Sequence, residues 1–106
     1  MSYRYMRVVV LFDLPVVSAK NRRDYAAFRK FLIKSGFLMM QESVYCKIAQ
    51  NITMADSIVD NIRKNKPEEG LIQVIKLTEK QFTKIEYILG SDKSEVLNSD
   101  ERLVVI

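Results

Sequence analysis

The stretch Met6-Arg7-Val8-Val9-Val10-Leu11-Phe12-Asp13-Leu14-Pro15 decides the fold predicted for this chain. Residues 8–12 are all apolar and three of them are β-branched, which predicts a strand buried on both faces. Pro15 has no backbone donor and disfavours helix at Leu14, so the strand must end near Asp13. The sequence therefore predicts a rigid strand that carries one carboxylate out of the core.

Asp13 has two interpretations from this stretch alone. An aspartate that follows a strand commonly caps a helix or stabilises a turn. An aspartate is also rarely left without a partner, and one held on a rigid element is suited to bind a metal or act as a catalytic acid. Both interpretations stay open at this point.

Length and composition indicate one folded domain. The chain has 106 residues, of which 48% are hydrophobic, with 2 prolines and 3 glycines. This composition argues against disorder and leaves no room for a second core. No apolar run approaches the roughly 18 residues of a membrane span, and the N-terminus lacks a signal-peptide pattern. We therefore expect a cytoplasmic protein with no membrane partner.

The absence of histidine restricts the chemistry of the chain. There is no histidine and only one cysteine, Cys46. These counts exclude Ser-His and Cys-His nucleophile pairs, imidazole metal sites, a cluster of thiolate zinc ligands and an internal disulfide. Hydrolysis would have to use carboxylates, lysine, tyrosine or a metal-bound water. Mg²⁺, which prefers oxygen ligands, is the natural cofactor.

Positive charge is concentrated in the first half of the chain. The net charge is +4, and residues 1–50 carry nine Lys or Arg against three Asp or Glu. A basic surface suggests a polyanionic partner such as nucleic acid, although most charged runs are simply solvated.

A basic helix is predicted after Pro15. Ser18 is a plausible N-cap, the helix runs to about residue 35, and Gly36 suits its C-terminal cap. Tyr25, Phe28 and Leu32 recur at helical spacing and form the inward stripe. The candidate nucleic-acid-binding residues on the rest of this helix are Lys20, Arg22, Arg23, Arg29, Lys30 and Lys34.

The middle of the chain predicts a β-hairpin and a second helix. Residues 37–40 and 43–48 read as strands, with Val44, Cys46 and Ile48 alternating on an inner face. Thr53 resembles the start of a capping box, which begins a helix that stops before Pro67. Its apolar face comprises Ala55, Ile58, Val59 and Ile62.

The rest of the chain predicts a further strand and a separate tail. Residues 70–77 read as a strand, and Thr78 begins a capping box with room for about one helical turn. Residues 85–89 are a candidate fifth strand. We divide the chain into a domain of residues 1–90 and a tail of residues 91–106. The last four residues, Leu-Val-Val-Ile, predict an additional C-terminal strand that docks on a partner or on the dimer.

The order β-α-β-β-α-β predicts an α+β, ferredoxin-like fold, with an antiparallel sheet and both helices on one face. The other face must be polar, bind a ligand or be covered. Because its strands are rich in Val, Ile, Leu and Met, burial in a homodimer is the expected solution.

These features resemble the small subunit of the CRISPR adaptation complex, a family of CRISPR-associated endoribonucleases. The resemblance rests on the strand-end pair Phe12-Asp13, on Arg22 and Arg23 near the start of a basic helix, on the hairpin Gln41-Glu42-Ser43-Val44-Tyr45, and on the element order through residue 89. Phe12 stands where the family often has tyrosine, and Cys46 where it commonly has glutamate.

The resemblance implies a symmetric homodimer that bridges CRISPR integrase subunits and holds a double-stranded DNA prespacer. It also implies a Mg²⁺-dependent endonuclease acting on RNA or DNA, in which Asp13 of each protomer is the catalytic and metal-binding residue. Two carboxylates brought close across a two-fold axis are costly unless a cation lies between them.

Two other functions remain open from the sequence. One is a non-catalytic scaffold that binds duplex nucleic acid through the basic helix and docks partners through the tail. The other is a toxin-type, metal-dependent ribonuclease of similar fold, from the virulence-associated group. Metal-dependent cleavage distinguishes the scaffold from the two nucleases, and co-purification with an integrase subunit distinguishes the two nucleases from each other.

Overall fold

A computed structural model describes residues 5–91 of the chain. Its elements, in chain order, are β1 (Met6–Asp13), α1 (Ala19–Lys34), β2 (Leu38–Gln41), β3 (Val44–Ala49), α2 (Ile52–Lys64), β4 (Leu71–Thr78) and α3 (Glu79–Phe82). The four strands form one antiparallel sheet in the order β2-β3-β1-β4. The predicted α+β, ferredoxin-like arrangement is confirmed.

The core lies between the helices and one face of the sheet. Val8, Val10 and Phe12 alternate along β1 and belong to the same buried cluster as Phe28 and Leu32 of α1. The remaining members are Leu14, Phe37, Tyr45, Ala49, Ala55 and Ile62. The predicted inward stripes of both helices are confirmed, since Tyr25, Ile58 and Val59 pack against this cluster.

The opposite face of the sheet is not covered by α1 or α2, and we call it the open face. Residues at odd positions of β1 point there, because side chains alternate along a strand. These residues are Arg7, Val9, Leu11 and Asp13. The residues directly opposite them on β3 and β4 lie on the same face: Val44, Cys46, Ile48, Leu71, Gln73, Ile75 and Leu77. The prediction that β1 is buried on both faces holds at Val9 but fails at Leu11, which is exposed.

The predicted inner face of β3 is wrong. Tyr45 and Ala49 point into the helix-side core, whereas Val44, Cys46 and Ile48 lie on the open face. The alternation is regular, but Cys46 pairs with Val9 rather than with a helix-facing residue of β1. Alternation fixes which residues share a face without deciding which face the helices cover, and here the large Tyr45 ring faces the helices.

Two of the three predicted helix N-caps are confirmed. Ser18 caps α1 in a capping box with Asn21, and Thr78 caps α3 in a capping box with Gln81. The predicted cap Thr53 is wrong, because Asn51 caps α2 and its side chain accepts from the backbone of Met54. Asparagine is an equally good N-cap, and here it precedes the predicted one by two residues.

The turn after α1 requires glycine. Gly36 adopts φ +96°, a left-handed conformation that ends the helix as predicted. The Lys47 ammonium donates to the Ser35 carbonyl at the same helix end. A cation there is favourable because unsatisfied carbonyls give the C-terminus partial negative charge. This contact fixes the end of α1 against β3.

The candidate fifth strand at residues 85–89 is not formed. β2 and β4 are the edge strands of the described sheet, and residues 85–89 pair with neither, while Ile88 and Leu89 are 90% and 94% exposed. Without a neighbouring strand, the backbone of these residues cannot complete β-type hydrogen bonding. The predicted strand at residues 103–106 and all of the tail except Ser91 lie outside the described residues.

Within residues 5–91, no helix is both long enough and apolar enough to cross a bilayer.

Candidate metal and nucleic-acid site

Asp13 lies at the last position of β1, on the open face, and is exposed. Its direct neighbour across the sheet is Leu71 of β4. Within residues 5–91 its carboxylate forms no hydrogen bond and no ion pair with another side chain. It is not the N-cap of α1, which is Ser18. The capping interpretation of Asp13 therefore fails, and the carboxylate is available to an external cation.

One protomer supplies too few ligands for a complete metal site. No group of three or more acidic or cysteine side chains comes together within the described part of the chain. Mg²⁺ usually takes only one or two protein carboxylates and fills its octahedral shell with water and phosphate oxygens. Asp13 therefore fits a magnesium site as one contributing carboxylate, to be completed by a second chain or by substrate.

Five of the six predicted nucleic-acid-binding residues lie together on the solvent side of α1. Arg22 and Arg29 are seven residues apart, as are Arg23 and Lys30, and Lys34 follows Lys30 by four. Both spacings return to the same face of a helix. We call these five residues the basic ribbon: Arg22, Arg23, Arg29, Lys30 and Lys34. Ile33 and Ala26 lie among them and form the floor of a shallow surface groove with Tyr25.

Lys20, the sixth predicted residue, does not belong to the ribbon. Its ammonium forms ion pairs with Asp24 at 3.0 Å and with Glu68 at 2.9 Å. The hydrogen bonds to Glu68 and Asp24 raise the pKa of Lys20 to about 12. Lys20 thus stays charged, but two carboxylates offset its charge. Lys20 links the start of α1 to the loop before β4, and its neutralised charge contributes little positive potential for binding a polyanion.

The guanidinium of Arg22 is already engaged by backbone. It donates to the carbonyl of Val17 at 3.0 Å and to that of Val16 at 3.4 Å. These carbonyls belong to the loop between β1 and α1. Arg22 therefore holds this loop in shape, and its remaining donors are what it can offer to a ligand.

Arg29 is held by a buried hydroxyl. Its Nε donates to the hydroxyl oxygen of Tyr45 at 2.8 Å, and Tyr45 is 0% exposed. The hydrogen bond to Tyr45, with smaller contributions from Tyr25 and Glu42, raises the pKa of Arg29. Sequence reasoning selected Arg29 for its charge alone and missed Tyr45, because it assigned that ring to the other face of β3.

Arg7 forms a second contact that the sequence did not predict. Its Nε and NH2 donate to the two carboxylate oxygens of Glu79 at 2.8 and 3.0 Å. Its guanidinium carbon also lies 4.2 Å from the centre of the Phe82 ring. The pair with Glu79 raises the pKa of Arg7. These contacts fasten α3 to the open side of β1 and direct the chain that follows.

The fold and the strand-end carboxylate first define a class. A β2-β3-β1-β4 antiparallel sheet with α1 and α2 on one face makes this a ferredoxin-like α+β protein. A solved structure described as the crystal structure of cas2 has the same fold, with a TM-score of 0.58 over 85% of this chain and 92% of that one, at 20% sequence identity.

Sequence comparison then gives the family. Residues 6–85 match the model of the family described as CRISPR associated protein Cas2. The chain is 59% identical over 101 residues to the "CRISPR-associated endoribonuclease Cas2" of Treponema denticola, covering 95% of this chain and all of the relative. It is 39% identical to the protein of the same name from Streptococcus mutans UA159, covering 95% of this chain and 93% of the relative. The chain belongs to the Cas2 family.

Proposed function

We propose that this protein is a subunit of the CRISPR adaptation machinery that works as a homodimer, binds duplex nucleic acid and is a Mg²⁺-dependent endonuclease. Its membership of a CRISPR-associated family and the endoribonuclease names of its relatives support this function. The observation that carries the proposal is the position of Asp13, exposed and unpaired among the described residues, at the edge of a sheet face that has several exposed apolar residues.

The apolar open face supports a homodimer. Leu11, Leu38, Ile48, Leu71 and Ile75 all lie on this face and are exposed in the single chain. Soluble monomers rarely expose contiguous apolar patches of this kind. A two-fold axis through the face would cover both copies with one self-complementary contact, in which the two sheets face one another.

Such a dimer also completes the acidic site. The open face carries Asp13 at one end of the central strand, so a two-fold axis near that end brings the two carboxylates together. Two like charges at short distance repel, and a cation between them relieves the repulsion. Mg²⁺ bound there would lower the pKa of its bound water and polarise a phosphodiester. Asp13 of each protomer would hold the ion. The metal-bound water would then supply the base that histidine provides in other nucleases, since this chain has no histidine.

The basic ribbon is the proposed surface for the duplex. Within residues 5–91 the cationic groups of Arg23, Lys30 and Lys34 form no ion pair, and Arg29 is hydrogen-bonded only to a neutral hydroxyl. They are exposed residues of α1, which packs on the opposite side of the sheet from the open face, so they stay exposed when the open face is covered. Two ribbons per dimer suit the regular backbone of double-stranded DNA, held for an integrase subunit, rather than individual bases.

Cleavage and partner capture test this function together. The purified protein should cleave RNA or DNA only with Mg²⁺, and Asp13→Asn should abolish cleavage while Asp60→Asn, an exposed carboxylate on α2, should not. The protein should also co-purify with a CRISPR integrase subunit. Cleavage that persists in Asp13→Asn would contradict the catalytic assignment.

A non-catalytic scaffold is the second candidate. It is favoured by one specific observation, namely that Asp13 is not joined by two further acidic or cysteine ligands within residues 5–91. In that case the protein would bind duplex DNA and the integrase subunit with the same affinities in the presence of EDTA, and no cleavage would accompany binding.

A further inference from the structure

The hydrogen bond between Arg29 and Tyr45 joins an exposed cation to the hydrophobic core. Tyr45 is fully buried, and its hydroxyl oxygen accepts from Arg29 Nε at 2.8 Å. A buried hydroxyl without a partner is costly, and Arg29 provides that partner from the surface. The side chain of Arg29 is thus held at its inner nitrogen while its outer end stays at the surface.

The core holds the tyrosine ring in one place. The Tyr45 ring stacks on the Phe12 ring with centroids 5.7 Å apart and an interplanar angle of 27°. Phe12 also makes an edge contact with Phe28 at 5.3 Å. Close packing of this kind leaves the ring little freedom to move. The hydroxyl of Tyr45 is therefore a fixed point against which the guanidinium of Arg29 is oriented.

The hydrogen bond to Tyr45 leaves the two terminal nitrogens of Arg29 available to bind a phosphate. An arginine has five N–H donors in a planar fork, and the bond to Tyr45 uses only the Nε donor. The two terminal nitrogens can still grip a phosphate with parallel hydrogen bonds. Lys30 and Lys34 are single point charges on flexible stems and have no such anchor among residues 5–91.

We infer that Tyr45 is a positioning residue that orients Arg29 to bind a backbone phosphate of duplex nucleic acid. This inference rests on the proposed function of the basic ribbon and adds to it a specific role for a buried residue. Tyr45 does not touch the phosphate. It acts by removing, before binding, the freedom that the long arginine side chain would otherwise lose in the complex.

The test is a double-mutant cycle in duplex binding. Tyr45→Phe keeps the ring and its packing on Phe12 but removes the acceptor. Arg29→Ala removes the cation. Binding of a fluorescently labelled double-stranded DNA is measured by anisotropy over a series of salt concentrations for the parent, both single variants and the double variant. Tyr5→Phe is the matched control, since it also removes one tyrosine hydroxyl, but Tyr5 precedes β1 and lies outside the basic ribbon.

We expect Tyr45→Phe to weaken binding by roughly two- to tenfold, the cost of ordering one free arginine side chain. The salt dependence should change little, because the charge is retained. Arg29→Ala should weaken binding at least as much and reduce the slope of log K against log salt by about one unit. In the Arg29→Ala background, Tyr45→Phe should have no further effect, and Tyr5→Phe should bind like the parent.

Two outcomes would overturn the inference alone, and a third would overturn the proposed DNA-binding role of the basic ribbon along with it. If Arg29→Ala weakens binding but Tyr45→Phe does not, the ribbon binds DNA without help from Tyr45. If Tyr45→Phe costs as much with alanine at position 29 as with arginine, Tyr45 acts through another group. If neither Arg29→Ala nor Lys30→Ala changes binding, the ribbon itself is not the DNA surface.

A further variant keeps the test decisive if Tyr45→Phe melts early. Arg29→Lys leaves the core untouched and keeps the charge, but a lysine cannot hold Tyr45 and present a fork at the same time. It should lose binding to the same extent as expected for Tyr45→Phe, with an unchanged salt slope. Parent-like affinity of Arg29→Lys would contradict the inference.

Discussion

Asp13 and Leu71 lie directly opposite one another on β1 and β4, with both side chains on the open face of the sheet. Leu71 is 54% exposed, so a carboxylate and an uncovered leucine share the same edge of the protein. An exposed leucine is favoured at a surface that another chain covers, and an unpaired carboxylate is favoured where water or a cation can reach it. The pairing supports an interface with a charged site at its edge.

A charge placed in the middle of the open face should break the proposed dimer. Ile75 pairs with Val9 at the centre of this face and is 48% exposed. We expect Ile75→Glu to give a 12.3 kDa monomer in sedimentation at low micromolar concentration, since an unpaired buried charge is strongly disfavoured in an interface. Ile52→Glu is the control, because Ile52 is equally exposed, at 50%, but begins α2. A parent protein that sediments as a monomer contradicts the dimer.

Two lysines of α1, Lys20 outside the basic ribbon and Lys30 within it, should differ in DNA binding. Lys30→Gln should weaken binding and lower the slope of log K against log salt by about one unit, as expected for a lost phosphate contact. Lys20→Gln should leave the slope nearly unchanged, because Asp24 and Glu68 already offset that charge. Anisotropy titrations at four salt concentrations measure both. Equal loss of slope in the two variants would place Lys20 in the DNA-binding surface together with Lys30.

Charge reversal of Arg23 tests the ribbon more cleanly than reversal of Arg22. Arg22 holds the backbone of the loop before α1, so Arg22→Glu would disturb that loop as well as the charge. Arg23→Glu should weaken binding at low salt with little change in Tm, measured by anisotropy and thermal melting. Parent-like binding by Arg23→Glu would mean that this part of the helix is only solvated.

The sequence determined the elements better than the faces they present. The run of apolar residues before Pro15, the Ser18 cap and the Gly36 turn each have a local physical cause, and each is found where predicted. The inner face of β3 was wrong because alternation has the same period whichever side is buried. That error also hid Tyr45 as the partner of Arg29, a contact between residues 16 positions apart.

In the candidate site too, the sequence indicated individual residues but not the distant residues that contact them. Asp13 was predicted from a strand and a proline that adjoin it in the chain. Lys20 was predicted from charge alone, and Glu68, 48 residues away, changes its role. The pair of Arg7 and Glu79 spans 72 residues and carries no signal in the spacing. Long-range partners of charged side chains therefore had to come from the structure.

The contact between Arg7 and Glu79 should hold α3 in place. Glu79→Gln keeps the shape but loses the charge that accepts two guanidinium bonds, so we expect faster amide hydrogen exchange in residues 79–85. The pair with Glu79 raises the pKa of Arg7, so the contribution of this cation to stability is fully present at neutral and mildly alkaline pH and is lost only as the pH rises through the raised pKa. The effect of Glu79→Gln on Tm should accordingly be the same at pH 7 and pH 9. Unchanged exchange in α3 would show that its other contacts, including the Thr78 cap and Phe82, hold the helix without this ion pair.

The most direct test of the proposed site counts metal ions per chain. Mn²⁺, used as a spectroscopic probe in place of Mg²⁺, is titrated into the purified protein, and the bound ions are counted by electron paramagnetic resonance. If the Asp13 carboxylates of two protomers share one ion, the parent and Asp60→Asn should each bind one Mn²⁺ per two chains, and Asp13→Asn should lose this ion while remaining a dimer. One ion per chain, or binding that persists in Asp13→Asn, would contradict a shared site built on Asp13.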